Sequence, residues 1–180
     1  LADGLAERGW MTLRFNFPYR EWGKSSPDSQ GVLVDAWKSA FHFMTAESGV
    51  AIDRIIAAGK SMGGRVASQM AAEGALPAHG FVFLGYPLHP PGKKDQLRDG
   101  HLPSIPAPML FFAGTRDAFA HLNLLKKTVG RLDRAVLEVV DGADHSFNLK
   151  SDADRSQTDV YDHILYRMAV WLDTGDGEAP

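Results

Sequence analysis

Two short runs, FVFL at residues 81–84 and MLFF at residues 109–112, each place four apolar side chains in succession with no polar residue between them. A strand with one face in water alternates apolar and polar residues, so an unbroken apolar strand must be covered on both faces. In a parallel sheet, helices supply that cover, and the sequence has to alternate strand with helix. This chain does so. Leu1, Leu5 and Trp10 predict a helix ended by Gly9, and MTLRFNF (residues 11–17) reads as a strand halted by Pro18. Residues 35–47, with Val34, Trp37, Ala40, Phe41 and Met44 near helical spacing, predict an amphipathic helix. RIIAAGKS then reads as a strand and MGGRVASQMAAEG as a helix, followed by the strands GFVFLGYP and PMLFFAG. HLNLLKKTVGRL, AVLEVV and DVYDHILYRMAVWL complete the pattern as helix, strand and helix.

At 180 residues the chain suits a single domain, residues 1–180, whose polar end, residues 173–180, is expected to fray. The net charge of −3 provides no positive field to draw in nucleic acid. With no cysteine there is no disulfide, no thiolate nucleophile and no Cys-ligated zinc. No apolar run is long enough for a membrane span, and LADGLAERGW does not read as a signal peptide, so the expected location is cytoplasmic.

In an open α/β sheet, ligands bind beyond the carboxyl ends of the strands. The strand RIIAAGKS ends in Gly59-Lys60-Ser61-Met62-Gly63, a GxSxG pattern between a strand and a helix. Such a turn pushes the serine hydroxyl out at the top of the sheet, and the Met62 N–H at the helix start faces the place where an oxyanion would form. Asp117 follows the strand PMLFFAG, and His145 follows AVLEVV within Asp141-Gly142-Ala143-Asp144-His145. A serine hydroxyl attacks only when a base takes its proton, and the base needs an acid to fix its tautomer. Ser61, Asp117 and His145 therefore form a candidate triad, in the nucleophile, acid, base order of α/β-hydrolases. Tyr19, Arg20, Tyr86 and His89 stand near strand ends and are candidates for a substrate pocket.

Other chemistries fit poorly. Two Gly-Lys-Ser tripeptides lack the upstream glycine of a phosphate loop, since Pro18 and Arg54 occupy that place. Neither a metal-ligand spacing nor a dinucleotide fingerprint occurs, so no metal and no cofactor is expected.

The stretches RFNFPYR, AAGKSMGGRVAS, LGYPLHPPGK, HLPSIPAPMLFFAGTRDAF and VVDGADHSF resemble small, lidless α/β-hydrolase-fold proteins related to dienelactone hydrolases. They look like a bacterial subfamily of predicted hydrolases whose mammalian relatives include a testis-expressed protein and a chromatin-complex subunit. The resemblance implies an α/β-hydrolase fold without a lid domain, with Ser61 as nucleophile, Asp117 as acid and His145 as base. Dienelactone hydrolases themselves use cysteine at the position of Ser61. The family pattern also has a strand and a glycine-rich turn ahead of the first helix, between RFNF and IIAAG in the sheet. A segment N-terminal to Leu1 carrying that strand and a second oxyanion-hole donor is therefore expected. The activity implied is hydrolysis of a small ester, thioester or related acyl bond through an acyl-enzyme. The alternative is a catalytically silent, hydrolase-like scaffold that binds other proteins.

Overall fold

The computed structural model describes residues 1–151 and 153–174. Its sheet has four strands, β1 (Ile56–Lys60), β2 (Gly80–Leu84), β3 (Met109–Gly114) and β4 (Ala135–Val140), in the order β1-β2-β3-β4. All three pairings are parallel, with Ala58 opposite Val82, Val82 opposite Leu110 and Leu110 opposite Val136. The helices are α1 (Ala2–Ala6), α2 (Pro18–Glu21), α3 (Gln30–His42), α4 (Met62–Ala72), α5 (Leu122–Val129) and α6 (Gln157–Thr174).

The apolar runs do what their composition requires. Phe81, Phe83, Met109 and Phe111 turn to one face and pack with Leu33 and Trp37 of α3, Val66 and Met70 of α4 and Leu125 of α5. Val82, Leu110 and Phe112 turn to the other and pack with Val160, Ile164, Met168 and Trp171 of α6. Period-two alternation thus feeds two cores, and every residue of β3 is buried. Arg167 of α6 adds an ion pair across to Glu138 of β4, its Nε donating at 2.8 Å. Of the three connections between consecutive strands, residues 85–108 alone lack an α-helix and hold only a 3₁₀ turn, Leu102–Ser104.

The expected strand over residues 11–17 is not formed. These residues join no ladder, and only Phe17 among them is buried. A strand exists through the hydrogen bonds of a neighbour, and none of the described strands lies beside this one. Its aromatic residues are held by side-chain packing instead: Phe15 meets Trp37 edge-on with centroids 5.0 Å apart and Phe17 at 6.2 Å. The outer edge of β1 is likewise unpaired among the described residues. Two smaller differences follow from local geometry. The helix expected over 35–47 begins at Gln30 and runs into a π-helical turn, Phe43–Glu47, after His42. Asp173 and Thr174, expected to fray, end α6, and residues 175–180 of the tail lie outside the described residues.

Candidate active site

β1 ends at Lys60 and α4 begins at Met62, so Ser61 alone makes the turn between them. It does so at φ 50° and ψ −119°, a backbone conformation that L-residues rarely hold. The conformation is clamped at both ends. The Ser61 N–H donates to the Leu84 carbonyl of β2 at 3.0 Å, and its own carbonyl accepts from the Arg65 N–H at 3.1 Å. The turn is tight because α4 lies directly on β1: a Cβ at Gly59 would overlap the backbone of Gly64. At Gly63, the last residue of the five-residue motif, a Cβ would meet only the Phe17 ring at 4.0 Å. The GxSxG pattern singled out Gly59 and Gly63, whereas the close approach is between Gly59 and Gly64, one residue past the motif.

Asp117 lies just beyond β3, where its N–H returns to the Gly114 carbonyl at 3.2 Å. Its carboxylate is fully buried and accepts the Phe119 N–H at 2.7 Å. His145 reaches it from the loop after β4, a loop tied to the β3 end by Arg116 N–H donating to Ala143 at 2.9 Å and Gly142 N–H to Thr115 Oγ1 at 2.9 Å. The imidazole Nδ1 stands 2.9 and 2.8 Å from the two Asp117 oxygens, and Nε2 stands 2.8 Å from Ser61 Oγ. Since an ionised carboxylate only accepts, Nδ1 carries the proton and Nε2 presents its lone pair to the Ser61 hydroxyl. Phe119 covers the imidazole with ring centroids 4.4 Å apart. The arrangement can draw the hydroxyl proton onto Nε2 and hold the resulting imidazolium against a buried negative charge.

Asp144 precedes His145 but turns back into its own loop, where it accepts from Ser146 N–H at 2.8 Å and Asn148 N–H at 2.9 Å. Partial burial would raise its pKa, yet these two donors prevail and hold the carboxyl below its ordinary range.

The remaining predicted residues separate. The Met62 N–H, first in α4, has no acceptor among the described residues, as the first amides of a helix do. Tyr19 is half-buried and stacks on Phe17 at 6.4 Å, and Arg20 is exposed and makes no ion pair among the described residues. Tyr86 and His89 lie in the interior rather than at a pocket surface. Tyr86 is wedged between Phe83 and Phe111 and its hydroxyl donates to the Arg98 carbonyl at 2.8 Å, with burial pushing its pKa up to about 12. His89 donates from Nδ1 to Pro90 O at 2.9 Å and accepts the His121 N–H on Nε2 at 2.9 Å, which leaves neither nitrogen for a ligand. Sequence reasoning passed over Phe119 and Lys60; nothing in their spacing marks them. Among the described residues, no three His, Asp or Glu side chains gather as metal ligands, and no helix is long and apolar enough to cross a membrane.

A family model described as an alpha/beta hydrolase domain matches residues 1–173. The chain belongs to that family. Among solved structures, this hydrolase domain is similar to an alpha-beta serine hydrolase homologue from Coxiella burnetii. They share 20% identity and a TM-score of 0.69 over 93% of this chain and 73% of that one. It is also similar to esterase 2 of Thermogutta terrifontis, at 20% identity and a TM-score of 0.61 over 88% of this chain and 70% of the other. A monoacylglycerol lipase from Paleococcus ferrophilus matches at 13% identity and a TM-score of 0.60, over 83% and 77% of the two chains. At these identities the likeness establishes the fold.

Proposed function

We propose that the chain, acting as a single domain, is a serine hydrolase that cleaves a small ester, thioester or related acyl bond through an acyl-enzyme. The observation that carries this reading is the imidazole of His145, 2.8 Å from Ser61 Oγ on one side and 2.8 Å from Asp117 on the other. His145 Nε2 takes the Ser61 proton as Oγ attacks the acyl carbon. The tetrahedral oxyanion accepts the Met62 N–H at the positive end of α4. The imidazolium then protonates the leaving alkoxide or thiolate, and water, deprotonated by the same imidazole, releases the acid and restores Ser61. Asp117 keeps Nδ1 protonated and stabilises the imidazolium throughout. Tyr19 and Arg20 remain the candidates for contacts with substrate.

Three further observations support the reading. Similar structures include a protein described as an esterase, and another structure of that protein is described as phosphoramylated by tabun. The five segments that resemble dienelactone-hydrolase-related proteins include all three residues of the triad. The net charge of −3 favours a small-molecule substrate over nucleic acid.

Hydrolysis of short-chain p-nitrophenyl esters and acyl thioesters tests the proposal. Ser61→Ala and His145→Ala should abolish turnover, and Asp117→Asn should lower kcat by about 10⁴-fold, because the amide favours the wrong imidazole tautomer. A protein that turns over none of these substrates and binds them no more tightly than Ser61→Ala does would instead be the silent scaffold.

A further inference from the structure

Lys60, directly before the nucleophile, has no part in the chemistry above, yet its ammonium meets the loop that carries the base. Lys60 Nζ donates to the main-chain carbonyl of His145. No other donor reaches that carbonyl among the described residues. Nζ also lies 5.1 Å from the centroid of the Phe147 ring, within the range of a cation–π contact. Phe147 is itself a loop anchor, buried although it sits at φ 64°, where a side chain is strained. The Lys60 residue as a whole is exposed, while its charged end turns inward onto this loop.

The space for the ammonium is reserved by a third strand end. Gly85, which follows β2 at φ +65°, would as alanine place its Cβ 2.9 Å from His145 O, 3.2 Å from Lys60 Nζ and 3.3 Å from His145 Nδ1. The nucleophile and the base thus meet at two points. Two adjacent residues, Lys60 at the end of β1 and Ser61 in the turn, hold the carbonyl and the imidazole of a single residue, His145. Burial draws the Lys60 pKa below its usual value, and the nearby Asp117 and Asp144 carboxylates oppose that fall.

We propose that Lys60 is a positioning residue whose ammonium, by binding the His145 carbonyl, holds the imidazole in line with Ser61 and Asp117. The inference rests on the serine-hydrolase reading for its kinetic consequence, but not for its structural one. A loop can otherwise rock about its ends, and a displacement of about 1 Å at a catalytic group can lower a rate by about 10²-fold. The side chain makes no bond to the reacting atoms, so its loss should fall on kcat and leave KM unmoved.

The test compares Lys60→Met, which removes the donor, with Lys60→Gln, which keeps an N–H donor without charge, and Lys60→Arg. Lys60→Met should lower kcat and the rate of fluorophosphonate labelling at Ser61 by about tenfold or more at unchanged KM. Lys60→Arg should restore most of that rate, and Lys60→Gln part of it. In parallel, the ¹⁵N–¹H correlations of the His145 ring should be single and sharp in the parent protein and broadened or doubled in Lys60→Met. Parent-like labelling with unchanged ring signals in Lys60→Met would overturn the proposal. So would a rise in KM equal to the whole loss. A parent protein that never labels, but whose His145 signals still broaden in Lys60→Met, would sink the hydrolase reading and leave the tether standing.

Discussion

Residues 109–114 and residues 11–17 are built of similar material, a handful of large apolar side chains next to a proline, and they end in opposite states. MLFFAG is hydrogen-bonded to a strand on either side, buried at all six positions and packed on both faces by helices. MTLRFNF has no ladder partner among the described residues and is exposed from Met11 through Asn16, and it leans on Trp37 through a single aromatic contact, from Phe15, which also meets Phe17 edge-on. Apolar side chains supply the drive to bury a segment, and neighbouring strands decide whether its backbone can follow. The candidate site lies where the two regimes meet. Asp117 and His145 hang from strands β3 and β4, while Ser61 closes β1, whose outer edge is unpaired among the described residues.

Mutations can break this contrast. Phe111→Ala opens a cavity in the centre of the sheet and should cost about 3–5 kcal/mol, read as a fall in the denaturation midpoint. A loss under 1 kcal/mol would mean that the central sheet is no better packed than residues 11–17. At the boundary, Ser61→Gly relieves a φ of 50° and should be about 1–3 kcal/mol more stable than Ser61→Ala, although both lose reactivity. Equal stabilities would show that the turn stores no strain.

Asp144→Ala removes the carboxylate oxygen that accepts two loop amides and should cost about 1 kcal/mol at neutral pH. Because the folded-state carboxyl titrates below its ordinary value of 3.8, its stabilisation is complete above that value. It disappears as the pH falls through the lowered folded-state value. The Tm curves of the two proteins should therefore converge toward low pH, and a constant gap would contradict this assignment. The smallest effect belongs to Phe15→Ala. Phe15 is 37% exposed, so the loss should stay under about 1 kcal/mol. Amides 12–16 should also exchange hydrogen far faster than amides 110–113.

The order of elements from Ile56 onward was legible because unbroken apolar runs mark the buried strands and helical spacing marks the amphipathic helices, and both survive in sequence. The candidate triad was legible for a related reason. Ser61, Asp117 and His145 each fall within a few residues of a strand end, and parallel strands deliver all their carboxyl ends to one rim. What could not be read depended on neighbours distant in sequence. MTLRFNF has a strand-like pattern, but its pairing is decided elsewhere. Tyr86 and His89 stand just past a strand end, as site residues do, yet the residues 85–108 connection folds over them, and their polar atoms are taken by Arg98, Pro90 and His121. Lys60 shows the converse. Its position beside Ser61 was plain, but its contact with the His145 carbonyl 85 residues away was not.

The chemistry of this site requires Ser61 to be an activated nucleophile. Incubation with a fluorophosphonate followed by intact-mass and peptide mass spectrometry asks this directly. The prediction is one covalent adduct per chain, located on Ser61, absent in Ser61→Ala and slowed by orders of magnitude in His145→Ala. An unmodified protein, or an adduct that forms equally fast without His145, would contradict it.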